Sequence, residues 1–203
     1  MRFYICIVTI IGLSFSLTGF GQDTILFLNG KIEVGTLIET NDLTTTYSIV
    51  KGKKNKVKVK ETTTIFGVLT SEGLLDTLYS VNESEELTLS ANDMYLFILG
   101  EQDAKKYYKT QWASVGGLIF GAGFGYLLYD GFYVAAVPMV YTVGAGVSNV
   151  KVVNGGNRST KTLTNPAYQE GYIKVARAKK SFYALGSSTI GTIIGALIGH
   201  SQN

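Results

Sequence analysis

The sequence predicts an α+β membrane protein: a small antiparallel β-meander or open barrel, followed by glycine-rich transmembrane helices. Three observations carry this. Charged residues make up only 16% of the 203 residues and hydrophobic ones 46%, against about 25% charged in an average soluble domain. The 24 glycines cluster in the apolar C-terminal half. The pattern also changes along the chain, from alternation over residues 22–89 to long uncharged runs beyond residue 109.

Composition removes several function classes at once. A net charge of +3 gives no general affinity for nucleic acid. Cys6 and His200 are the only cysteine and histidine, so no intramolecular disulfide, Cys/His metal site or Ser-His or Cys-His pair is expected. No cofactor, metal ligand or catalytic residue is assigned, and no enzyme is expected.

Residues 1–21 read as a secretory signal peptide: Arg2, an apolar run from Phe3 to Leu17, then Gly19 and Gly21 at small-residue positions before a cleavage site. Gln22 then opens the mature chain, and cleavage would remove the only thiol; the alternative is an uncleaved N-terminal anchor.

Residues 22–89 read as a small antiparallel β-domain. Asn29-Gly30 joins two apolar-rich runs and predicts a type I′ hairpin turn. Strands are expected at 44–50, 55–61, 64–70 and 74–80. In "NKVKVKE", Val57 and Val59 alternate with Lys56, Lys58 and Lys60, and the lysines are expected on the solvated face of an edge strand. The acidic run 82–86 is expected as a solvated turn.

The stretch "LFLNGKIEVGTLIE" resembles a small β-module of uncharacterised secreted proteins of Gram-negative bacteria, with an Asp-initiated strand, an Asn-Gly turn and a G-x-[VIL] second strand. That resemblance implies a secreted β-domain without catalytic residues. The same stretch is also similar to the first half of an Sm-like barrel, but no second Sm motif follows.

Residues 90–109 read as a polar linker helix, with Ser90 as N-cap, Asp93 as its acidic N3 partner and a kink expected at Gly100. Residues 110–150 read as a hairpin of two apolar glycine-rich helices. Thr110–Tyr129 offers 20 uncharged residues and Phe132–Val150 another 19, interrupted by Pro138; about 20 are needed to cross a bilayer. Trp112, Tyr126 and Tyr129 suit interfacial belts. Residues 151–180 form a basic loop and amphipathic helix, with seven Lys or Arg against Glu170, and Asn165-Pro166 as a helix start. Residues 181–203 form a third glycine-striped helix.

The chain also repeats itself. At an offset of 74 residues "AKKYY" (104–108) falls on "AKKSF" (178–182), and Gly117, Gly121 and Gly125 fall on Gly191, Gly195 and Gly199. These six glycines are the expected helix-packing residues, since close backbone approach drives helix association in lipid. The stripe resembles the glycine-zipper helices of bacterial envelope proteins, which implies packing rather than an activity. Lys105, Lys106, Lys109, Arg177, Lys179 and Lys180 are assigned to head-group or partner contact.

The expected function is that of a non-enzymatic envelope membrane protein, with an exported β-module on the periplasmic side and self-packing helices. Membrane lipids and either a second copy or another envelope protein are its expected partners. The alternative is a component of an oligomeric pore or transport complex. Three crossings would leave the basic residues on the exported side, against the positive-inside rule. An outer-membrane location, a second run that does not span, or insertion as a bundle after export would each resolve this.

Overall fold

Residues 22–51, 54–80 and 89–202 are described by the computed structural model. The signal peptide read at 1–21 and the acidic run 82–86 lie outside them. The chain is α+β and divides into two compact units, Met1–Ser80 and Val81–Asn203.

The first unit is a six-stranded antiparallel open sheet: β1 (Asp23–Phe27), β2 (Ile32–Thr40), β3 (Thr44–Lys51), β4 (Lys54–Glu61), β5 (Ile65–Leu69) and β6 (Leu75–Thr77). Their order is β4-β3-β2-β1-β5-β6, which corrects the expected meander. After β4 the chain turns through a 3-10 segment, Thr62–Thr64, and β5 returns to pair with β1. Burial explains the choice. Ile65 and Val68 join Ile25, Phe27 and Tyr47 in one buried cluster, whereas β4 offers no buried side chain.

The Asn29-Gly30 hairpin forms, but not as a type I′ turn. Gly30 has φ 73°, and Asn29 is not among the residues of positive φ. Gly30 N–H donates to Phe27 O and Phe27 N–H to Lys31 O, the bonding of a turn closed by a glycine bulge. The Asn29 side chain accepts from Lys31 N–H, which holds the turn without requiring Asn29 to cross to positive φ.

β4 is an edge strand with Lys56 and Lys60 exposed, as expected, while Lys58 is half-buried. Lys58 pairs with Tyr47 across the β3–β4 ladder, so the lysines share the face of the buried tyrosine. Val57 and Val59 instead lie exposed.

The second unit is helical: α1 (Ala91–Tyr107), α2 (Gln111–Leu127), a 3-10 turn (Phe132–Ala136), α3 (Val137–Val147), α4 (Thr160–Thr164) and α5 (Pro166–Ser201). Both sequence-read caps form. Ser90 accepts from Asp93 N–H, and Asn165 accepts from the amides of Ala167 and Tyr168 ahead of Pro166. Gly100 does not end α1. Pro138 sits in the first turn of α3, where its missing N–H costs nothing, instead of interrupting a longer helix.

The basic amphipathic helix and the last apolar run are one helix, α5, of 36 residues. Among the described residues it is the one helix long and apolar enough to cross a membrane. The other two runs expected to span yield helices of 17 and 11 residues, which rise about 25 and 16 Å. The first run loses Thr110 at its start and Leu128 and Tyr129 at its end. The second spends five residues in the 3-10 turn.

Candidate functional site

α5 runs parallel to α1 and α2 and antiparallel to α3. Ser181 lies by Gly146, and Ser188 Oγ lies 3.5 Å from Pro138 O. The three helices α2, α3 and the C-terminal half of α5 form an apolar end. α1, the 148–165 segment and the N-terminal half of α5 form a polar end.

At the apolar end the buried residues of α2 and α5 are small, while α3 buries Val137 and Pro138. In α2 they are Ala113, Gly117, Gly121 and Gly125. From residue 181 onward in α5 they are Ala184, Ser188, Gly191, Thr192, Gly195 and Gly199. All six glycines expected to pack are therefore inside. A Cβ at Gly121 would lie closer than 3.0 Å to the Ser188 carbonyl and the Thr192 amide, and one at Gly191 equally close to the Leu118 carbonyl and the Ala122 amide. Gly125 and Gly195 meet the Thr192 and Ala122 carbonyls in the same way. Gly117 faces Ser187 and Tyr141, and Gly199 faces Tyr129.

The register differs from the sequence repeat. Gly121 stands level with Gly191 and Gly125 with Gly195, a spacing of 70 (191 − 121) where the repeat spacing is 74. The two copies thus slip by four residues, one helical turn. The same close approach continues in the polar end, where Gly100 meets Tyr168 O and Gly171 meets Phe97 O. These two glycines fall outside the apolar runs. Only a search for glycines at the packed spacing would have found them.

The large apolar side chains point away from this interface. Trp112 is 88% exposed, Phe132 91%, Ile119 66% and Phe182 75%. Leu127, Met139, Val143, Ile193 and Leu197 are exposed as well. Hydroxyls inside the apolar end bond within the bundle: Thr192 to Ser188 O at 2.8 Å, Ser188 to Ala184 O at 2.7 Å and Tyr141 to Ala113 O at 2.8 Å.

The polar end reverses the arrangement. Tyr168, Tyr172, Ala104 and Ala176 form its core. Beside them Asp103 is 5% exposed and Glu101 3%. Arg158 donates to Asp103 through Nε at 2.9 Å and Nη2 at 3.3 Å, and Tyr168 Oη donates at 3.0 Å. Lys174 pairs with Glu101 at 2.9 Å. Sequence reasoning missed this network, since its partners lie 55 to 73 residues apart.

The six cations divide by role. Lys179 donates to the Lys105 and Tyr108 carbonyls at 3.1 and 2.8 Å, closing the C-terminal end of α1. Its neighbour Lys180 bonds the Ser148 hydroxyl at the C-cap of α3. Lys106 lies 5.1 Å above the Tyr107 ring. Lys105, Lys109 and Arg177 are exposed.

In the β-unit, Glu33 gathers Lys31 at 2.6 Å, Lys58 at 2.8 Å and Tyr47 Oη at 2.7 Å. Burial works against its charge, but the bonds from Lys31, Lys58 and Tyr47 outweigh it and hold the carboxyl down at about 2. Burial and the same carboxylate push the Tyr47 phenol upward. Among the described residues, no three His, Cys, Asp or Glu side chains gather as a metal site.

No protein family matches the chain, and no curated protein or solved structure shows significant similarity to it.

Proposed function

We propose that the protein is a non-enzymatic membrane protein of the bacterial envelope. In this reading residues 1–21 direct export and the β-unit stands on the periplasmic side. The helical unit anchors the chain through its apolar end and engages lipid head groups, or a second copy or another envelope protein, through its basic end.

The observation that supports this is the inverted exposure of the apolar end. Water drives large apolar side chains inward, at about 25 cal/mol per Å² buried. A bundle with glycine and serine inside and Phe, Ile and Leu outside suits a solvent as apolar as those side chains. Ser181–Gly199 rises about 28 Å, against about 30 Å of hydrocarbon. Trp112, Phe182 and Tyr183 at one end, with Tyr126, Phe132 and Tyr133 at the other, suit the two interfacial belts.

The test is single-cysteine labelling in whole membranes, with cysteine placed at Leu197, Ile119 or Arg177. Leu197→Cys and Ile119→Cys should resist a water-soluble maleimide, while Arg177→Cys should react. Equal reaction of all three, with release of the chain by alkaline carbonate, would remove the membrane reading.

A further inference from the structure

We propose that the groove between α2 and α3 holds one acyl chain of an anionic phospholipid, whose head group is read by Lys180. The inference rests on the membrane reading above and goes beyond it in naming a site and an occupant. The groove measures about 530 Å³. Ala113, Phe120, Val140 and Tyr141 line its walls, and Trp112, Ser148 and Lys180 stand at one end. Tyr141 is fixed there by its bond to Ala113 O and by the Phe120 ring 5.3 Å away.

Charge decides the occupant. The Lys180 ammonium bonds only the neutral Ser148 hydroxyl, and no carboxylate pairs with it among the described residues. An ammonium has three donors, so it can serve an anion without giving up Ser148. The buried acids of the polar end are already engaged, Glu101 by Lys174 and Asp103 by Arg158. Asp130 lies beyond the opposite end of α2. A cation with no counter-ion among the described residues, set at the end of an apolar slot, matches an anionic head group joined to a hydrocarbon chain. A zwitterionic lipid would fill the slot but carry its own ammonium.

Gly144 makes the proposal testable. It lines the groove, and a Cβ built on it meets nothing within 4 Å. A side chain at this position therefore starts in open space, and Gly144→Leu should fill the slot. The full chain, delipidated in detergent, is titrated with phosphatidylglycerol, phosphatidylcholine or glycerol 3-phosphate, and bound lipid is counted by native mass spectrometry. The wild-type chain should retain one phosphatidylglycerol about five-fold more tightly than phosphatidylcholine and no glycerol 3-phosphate. Lys180→Gln should bring the two lipids to parity. Gly144→Leu should lose both, with helicity by circular dichroism unchanged.

Equal retention of the two lipids by the wild-type chain would overturn the proposal, as would phosphatidylglycerol binding by Gly144→Leu at the wild-type level. Binding of glycerol 3-phosphate alone would reassign the site to a free phosphate. Those results would leave the membrane reading standing if carbonate fails to extract the chain. Extraction by carbonate would remove that reading instead.

Discussion

The two ends of the helical unit share helix α5 and yet are built on opposite rules. At the polar end α5 buries Tyr168 and Tyr172 and accepts two buried carboxylates from α1. At the apolar end it buries glycine, serine, threonine and alanine, and turns Phe182, Ile193 and Leu197 outward. One element is packed by two rules, so helix propensity alone does not choose which side chains go inside. At the polar end, tyrosines and paired carboxylates are buried. At the apolar end, close backbone approach holds the helices.

The largest effect should come from breaking backbone proximity. Gly195→Leu should destabilise the bundle by about 3 kcal/mol, because its Cβ meets the backbone of Ala122 and Tyr126 rather than a side chain that can move. Ile194→Leu, on the exposed side, should change it by less than about 0.5 kcal/mol. Unfolding by SDS titration in mixed micelles measures both, and equal effects would refute the packing rule.

Next comes the polar end. Asp103→Ala leaves Arg158 and Tyr168 without their acceptor and should cost about 2–3 kcal/mol, with Arg158 still part-exposed to water. The loss should register as faster hydrogen exchange in α1 and the 148–165 segment, leaving α2 protected. Uniform exchange throughout the unit would mean that the two ends are not separable.

The β-unit provides a reference, a charged group inside and water outside. Glu33 has its folded pKa depressed from 4.5 to about 2. Its stabilisation is therefore complete above pH about 5 and is lost as pH falls toward 2. With screening at exposed Lys31 allowed for, the loss should be about 2 kcal/mol. Denaturant midpoints of the β-unit across that range should fall in the wild-type chain and stay level in Glu33→Gln.

The smallest effect has the opposite sign. Gly123 and Gly186 have open space around a built Cβ, so Gly123→Ala and Gly186→Ala should each stabilise by up to about 1 kcal/mol through helix propensity. The same exchange at Gly121 should destabilise. SDS titration that moved all three in one direction would contradict the division between packed and open glycines.

Much of this was legible in the sequence because it is written locally. The caps at Ser90 and Asn165, the six strands and both glycine stripes depend on near neighbours. What was not legible depends on pairing at a distance. The alternation in β4 shows that valines and lysines take opposite faces, but only the folded sheet brings Lys58 to Glu33. Length alone made the Phe132–Val150 run a span, because the 3-10 turn ahead of Pro138 leaves no local mark. The Asp103–Arg158 pair needs the loop folded back on α1, and the repeat spacing gave no sign of the slip between its copies.

That slip has a consequence in symmetry. Identical helices packed level are related by a two-fold axis, and the contact closes on itself. Here the second copy is displaced by four residues, about 6 Å along the axis. A contact with a translation in it is heterologous, and repeating it climbs instead of closing into a ring. Further copies added through the same glycine faces would rise out of any common plane. The two copies within one chain therefore complete the interface, and a flat assembly of several chains would have to be built on a different surface.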